Sequence, residues 1–172
     1  MRRFVIPIVC LLSCIFMANY VFAQPKDVKG WGKTKWGMSK EKIIDLYPGE
    51  VIPRNDPKYP NIKLDMKNIK IDRYVFEAMF IFGPDNKLTE VKLSPPVKNP
   101  VYEVDFVEIE KMLVAKYGAP AYRNKQRSAL GGFDFDTTWA FPSTSINLSF
   151  STELKMLTII YQPKSKSSSD KL

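Results

Sequence analysis

Two carboxylates on one short segment are the strongest candidates for chemistry in this 172-residue sequence. Asp134 and Asp136 alternate with aromatic residues, which predicts a strand on which both carboxylates share a face. Same-face neighbours on a strand lie about 6.6 Å apart, a separation also found in the acid–base pair of inverting glycosidases. Such alternation is more typical of a strand with its polar face in water. A solvated face is therefore the favoured interpretation, and a small carboxylate-dependent hydrolase is an alternative.

Other catalytic motifs are incomplete. Ser39 and Lys42 match the S-x-x-K element of penicillin-binding enzymes, but the accompanying S-D-N and K-T-G elements are absent, and Ser39 is placed to cap a helix. The acidic run 103–110 lies at a predicted helix start, where carboxylates stabilise the helix dipole. The sequence has no His, which removes Ser–His catalysis and the commonest metal ligand. We therefore expect a non-enzymatic protein with no cofactor and no metal.

The net charge of +8 is concentrated near the two ends of the sequence. Residues 36–162 hold 17 basic and 16 acidic residues, too balanced for a nucleic-acid partner. The short basic run Arg123, Lys125 and Arg127 is interpreted as a solvated strand edge, with a partner or anion surface as the alternative. Trp31 lies outside any regular pattern, and it either folds back on the domain edge or serves as an exposed anchor for a partner.

Hydrophobic periodicity predicts the elements that would position these residues. Helices are expected after Ser39 and over 102–117, and strands over 62–67, 71–82, 88–93, 133–141, 146–150 and 154–161. The prediction is an α+β fold of two loosely repeated helix-plus-antiparallel-meander halves, about 36–94 and 101–162, with the helices packed on one face of the sheet. The aromatic residues are expected to form its core, although some would line a cup in a carrier of an apolar ligand.

The N-terminal segment has the features of a targeting signal. A basic start, an apolar run and Ala23 predict a signal peptide over 1–23. The alternative is a lipobox that would leave Cys14 lipidated. Both cysteines lie inside this segment, so cleavage after Ala23 leaves a mature chain without disulfides or a transmembrane span. We expect a flexible linker over 24–35, a single domain over 36–162 and a disordered tail over 163–172, in an exported protein that is periplasmic or secreted.

Several short motifs are similar to those of a known group of proteins. Trp36-Gly37-Met38-Ser39, Lys116-Tyr117-Gly118-x-Pro120, Trp139 and Ile146-x-Leu148 resemble a group of uncharacterised bacterial exported proteins. The helix-then-meander halves resemble, more distantly, the scaffolds of BamE-type envelope assembly proteins and of the β-lactamase-inhibitor protein. Those scaffolds are non-catalytic binding proteins, and the resemblance concerns architecture only. The signal peptide, the missing catalytic motifs and the two-halved scaffold together predict an exported, non-enzymatic binding or assembly module of the bacterial envelope. Its partner would be an envelope protein or a small apolar ligand, and the sequence leaves the oligomeric state open.

Overall fold

The computed structural model describes residues 27–98 and 100–164. It consists of strands and two helices. Buried and exposed residues alternate along most of the strands, and each helix has one apolar face. In chain order the elements are α1 (Lys40–Leu46), β1 (Val51–Pro53), β2 (Ile62–Ile71), β3 (Tyr74–Phe82), β4 (Leu88–Ser94), α2 (Glu103–Tyr117), β5 (Tyr122–Arg127), β6 (Phe133–Ala140), β7 (Thr144–Ser151) and β8 (Met156–Pro163).

One antiparallel sheet of eight strands dominates the molecule, in the order β1-β2-β3-β4-β8-β7-β6-β5. The two meanders merge where β4 pairs with β8, through Val91 with Tyr161 and Leu93 with Ile159. Strands hold 43% of the described residues and helices 16%. The predicted layout of two balanced helix-plus-meander halves is therefore wrong, because the central strand pairing makes one sheet and both helices are short.

The core lies on one face of this sheet. The buried residues on β3 alternate as expected, with Phe76, Ala78, Phe80 and Phe82 all almost fully inaccessible to solvent. Both helices add their apolar faces to the same continuous core, which confirms the predicted helical pattern of Phe106, Ile109 and Leu113 on α2. The residues of opposite parity on the central strands, such as Asp136 and Asn147, are half-exposed.

Helix α2 is held onto the sheet by carboxylates from its first half. Glu110 accepts hydrogen bonds from Arg123 Nε at 2.8 Å and from the Thr137 hydroxyl at 2.7 Å. Glu108 pairs with Arg73, at the turn between β2 and β3. These acidic residues therefore do more than stabilise the helix dipole, since they connect α2 to β5 and β6 and also to the turn between β2 and β3.

The segment leading into α1 makes specific contacts with the sheet. The Asp27 carboxylate accepts hydrogen bonds from the Ser143 amide at 2.9 Å and from the Ser143 hydroxyl at 2.6 Å. The Trp36 indole donates to the Thr144 hydroxyl at 2.8 Å. The part of the predicted linker from Asp27 onward is thus hydrogen-bonded to the turn before β7.

The predicted signal peptide, the lipobox ending at Cys14 and most of the predicted tail lie outside the described residues. Within 27–98 and 100–164, neither helix is long and apolar enough to cross a membrane.

Candidate binding surface at one end of the sheet

The acidic pair singled out from the sequence lies on the half-exposed face of β6. Asp134 stands opposite Ser151 and Gln126, and Asp136 stands opposite Ser149 and Asn124. Among the described residues, neither carboxylate forms an ion pair. Their cross-strand neighbours are hydroxyl and amide side chains on the half-exposed face of the sheet.

The basic run lies on β5, the edge strand of the sheet. Arg123 pairs with Glu110, and the Lys125 ammonium lies 3.6 Å from a Glu103 carboxylate oxygen and over the rings of Phe133 and Phe135. Arg127 is exposed at the end of the strand. Two of the three predicted contact residues are therefore engaged with the helix.

Trp31 lies against the domain. Its ring centroid is 5.7 Å from that of Phe80 and 6.4 Å from that of Tyr47, and the side chain is partly buried. The aromatic residues that would line a ligand cup pack on one another instead. Phe135 and Phe150 on the sheet pack with Phe106 of α2, with ring centroids 5.3 to 6.2 Å apart.

A different group of residues forms the most conspicuous surface. Several loops and turns meet at one end of the sheet, and they carry exposed apolar side chains. Val97, Leu154 and Met156 line one groove at this end, and we call these three residues the tip surface. The turns are connected, because the Phe133 amide donates to the Thr152 hydroxyl at 2.7 Å and the Lys155 ammonium lies 5.6 Å from the Tyr102 ring centroid.

A groove of about 530 Å³ runs through the tip surface, between the segments 94–98 and 100–101 on one side and 154–157 on the other. It exists because the pairing of β4 with β8 extends only from Val91 to Leu93, and the chain then leaves the sheet at Pro95. The start of β8 therefore has no strand beside it on that side. We call this feature the tip groove.

The tip groove combines an apolar lining with positive charge. Val101 and Leu157 are buried, whereas Leu154 and Met156 remain 54% and 55% exposed. Lys98 and Lys155 also line the groove. Among the described residues, neither lysine pairs with a carboxylate.

Sequence reasoning missed this surface. Leu154 and Met156 were placed in a predicted strand, where apolar residues are normally interpreted as core. One signal was available: Val97 stands alone among prolines in the connection 94–100, and a loop gives an apolar side chain nothing to pack against. It is fully exposed in the structure.

The described residues offer no obvious metal centre, since no group of three or more Asp or Glu side chains within 27–98 and 100–164 is arranged to hold an ion. The sequence matches no family model, and comparisons with curated proteins and with solved structures give no significant match. The resemblance to bacterial exported proteins stays a prediction.

Proposed function

We propose that this protein is an exported, non-enzymatic binding or assembly module of the bacterial envelope, and that the tip surface is the face that contacts its partner. The single observation that carries the proposal is that the exposed apolar side chains of Val97, Leu154 and Met156 line one groove at one end of the sheet. Contiguous exposed apolar side chains are uncommon on monomeric proteins and are typical of interaction sites.

The alternatives use other parts of the molecule. A carrier with an internal aromatic cup would need space that the packed phenylalanines now occupy. The carboxylate-dependent hydrolase would use Asp134 and Asp136, which lie outside the tip surface. We therefore favour a role in which the protein presents a surface to a partner, and an envelope protein is the partner class expected for an exported chain.

Pull-down of the mature protein from an envelope extract tests the proposal. Leu154→Ser combined with Met156→Ser removes the two half-exposed apolar side chains beside the tip groove, and we expect the recovered partner to fall by about tenfold. Both residues are more than half exposed, so the free energy of unfolding should change by less than about 1 kcal/mol.

The matched control is Ile52→Ser combined with Tyr59→Ser. These side chains are 50% and 46% exposed and belong to the region around β1, an edge strand that is separated from β4 by β2 and β3. The control should recover the same partner as the unmodified protein. Equal recovery by the Leu154/Met156 variant would show that the tip surface is not the contact face.

A further inference from the structure

We propose that the tip groove binds a single-chain anionic amphiphile, an unbranched apolar chain that ends in a carboxylate or phosphate. This inference goes beyond the proposed function, because it adds a small-molecule ligand to the surface that we propose contacts a protein partner. The groove volume of about 530 Å³ lies within the usual range of about 300–1,000 Å³ for small-molecule sites.

The lining of the groove suits an apolar chain. Val101 and Leu157 are only 7% and 2% exposed, so they form a fixed base. Leu154 and Met156 stand beside them with about half of their surface in water, and a bound chain would cover that surface. Met is an unbranched and flexible side chain that adapts to ligands of different length.

The charge of the groove selects an anion. Lys98 and Lys155 reach the groove from its two sides, one on the connection after β4 and the other on the turn before β8. The Lys155 ammonium lies 5.6 Å from the centroid of the Tyr102 ring, an arrangement that favours a fixed position for the cation. Two ammonium groups beside one apolar groove complement a ligand with an apolar body and an anionic end.

The groove suits a peptide less well than an acyl chain. Pro95, Pro96 and Pro100 lie on one side, and proline has no backbone N–H to offer a peptide main chain. On the other side, the part of β8 that precedes its pairing with β4 is only Met156 to Thr158. An acyl chain needs no backbone hydrogen bonds, so these features do not weaken its binding.

A lipid bilayer would contact only the exposed rim of the tip groove. A bilayer presents a broad interface that contacts protruding side chains, such as the fully exposed Val97, but it does not reach the base formed by Val101 and Leu157. We therefore assign the groove to a separate amphiphile molecule.

Titration calorimetry of the mature protein with sodium laurate, kept below its micelle concentration, tests this proposal. The matched neutral probe is 1-lauroylglycerol, which has the same chain without a charge. We expect saturable laurate binding that is about tenfold tighter than binding of the neutral probe, because each exposed lysine contributes up to about 1 kcal/mol.

Variants assign the binding to the groove. Lys98→Gln combined with Lys155→Gln should weaken laurate binding by about tenfold and leave 1-lauroylglycerol binding unchanged. Lys58→Gln combined with Lys87→Gln, on exposed loops elsewhere, is the charge control and should bind laurate normally. Absence of saturable laurate binding, equal affinity for both probes, or an unaffected Lys98/Lys155 variant would each overturn the proposal.

Two further measurements separate this inference from the proposed function. Binding to phosphatidylglycerol vesicles without binding of monomeric laurate would replace the amphiphile with a membrane surface. Loss of the envelope partner in the Leu154/Met156 variant, together with no laurate binding, would keep the proposed function and overturn the inference. If laurate binds saturably but the Leu154/Met156 variant keeps its envelope partner, the inference stands and the proposed function is overturned.

Discussion

Glu90 is a carboxylate held partly out of water on the sheet. It lies on β4 opposite Ile81, and burial raises its pKa above the ordinary value of 4.5, while the nearby Lys92 acts in the opposite direction. A raised pKa in the folded state means that the protonated form favours folding. Glu90 therefore contributes stability below its ordinary pKa, and this contribution is lost as the pH rises through the raised value.

The substitution Glu90→Gln tests this sign. Glutamine has the shape of the carboxylic acid but does not ionise, so the variant should be more stable than the unmodified protein at neutral pH. The difference should shrink as the pH falls below 4.5. Urea unfolding across this range measures it, with Glu153→Gln on the exposed turn before β8 as the control. A variant that is less stable at neutral pH would contradict the assignment.

At the scale of single elements, the contacts of Glu110 show how α2 is fixed to the sheet. Its carboxylate accepts from the hydroxyl of Thr137, which is 1% exposed, and also pairs with Arg123. Glu110→Ala leaves that buried hydroxyl without its acceptor, at a cost of about 1–3 kcal/mol. Chemical denaturation measures the loss.

Lys111→Ala is the control for this change, because it is adjacent on α2, exposed, and equally suited to a helix. Its free energy of unfolding should stay within about 0.5 kcal/mol of the unmodified protein. If the Glu110 and Lys111 variants are equally stable, the Glu110 contacts do not hold the helix in place.

The elements that local sequence patterns predict are those with one buried face. Strand β3 and helix α2 were predicted close to their actual bounds because their apolar residues repeat with the strand and helix periods. The prediction of Ser39 as an N-cap is confirmed, since its side chain accepts from the Lys42 amide. Strand β5 was not predicted because it is an exposed edge strand of polar residues, and β1 was not because it has three residues and ends in proline.

At the scale of the whole molecule, the errors come from contacts between distant residues. The pairing of β4 with β8 joins residues about 70 positions apart, and no local pattern distinguishes it from two separate meanders. The tip groove has the same origin, because it forms where β4 ends beside a longer β8. The residues that line it, such as Met156, resemble core residues in sequence. They stay exposed because no distant segment of the chain packs over them.

The contact between Asp27 and Ser143 also spans most of the chain, and it allows a test of whether the predicted linker is fastened to the domain. Hydrogen bonds from the Ser143 hydroxyl and amide lower the pKa of Asp27 below its ordinary value of 3.8, against a smaller opposing effect of desolvation. The ionised carboxylate therefore stabilises the folded state above that pH, and the stabilisation is lost as the pH falls through the lowered value.

Asp27→Ala should consequently be less stable than the unmodified protein at neutral pH, and the two should converge in acid. Glu90→Gln differs in sign, because it is expected to be more stable than the unmodified protein at neutral pH. Asp45→Ala, an exposed carboxylate on α1, is the control and should show no such convergence. Urea unfolding at neutral pH and well below pH 3.8 measures the free energies of unfolding that this prediction compares. If Asp27→Ala matches the unmodified protein at both pH values, the contact of Asp27 with Ser143 does not fasten the N-terminal segment. Its attachment to β7 then depends on the contacts of Val28 and Trp36 with Thr144.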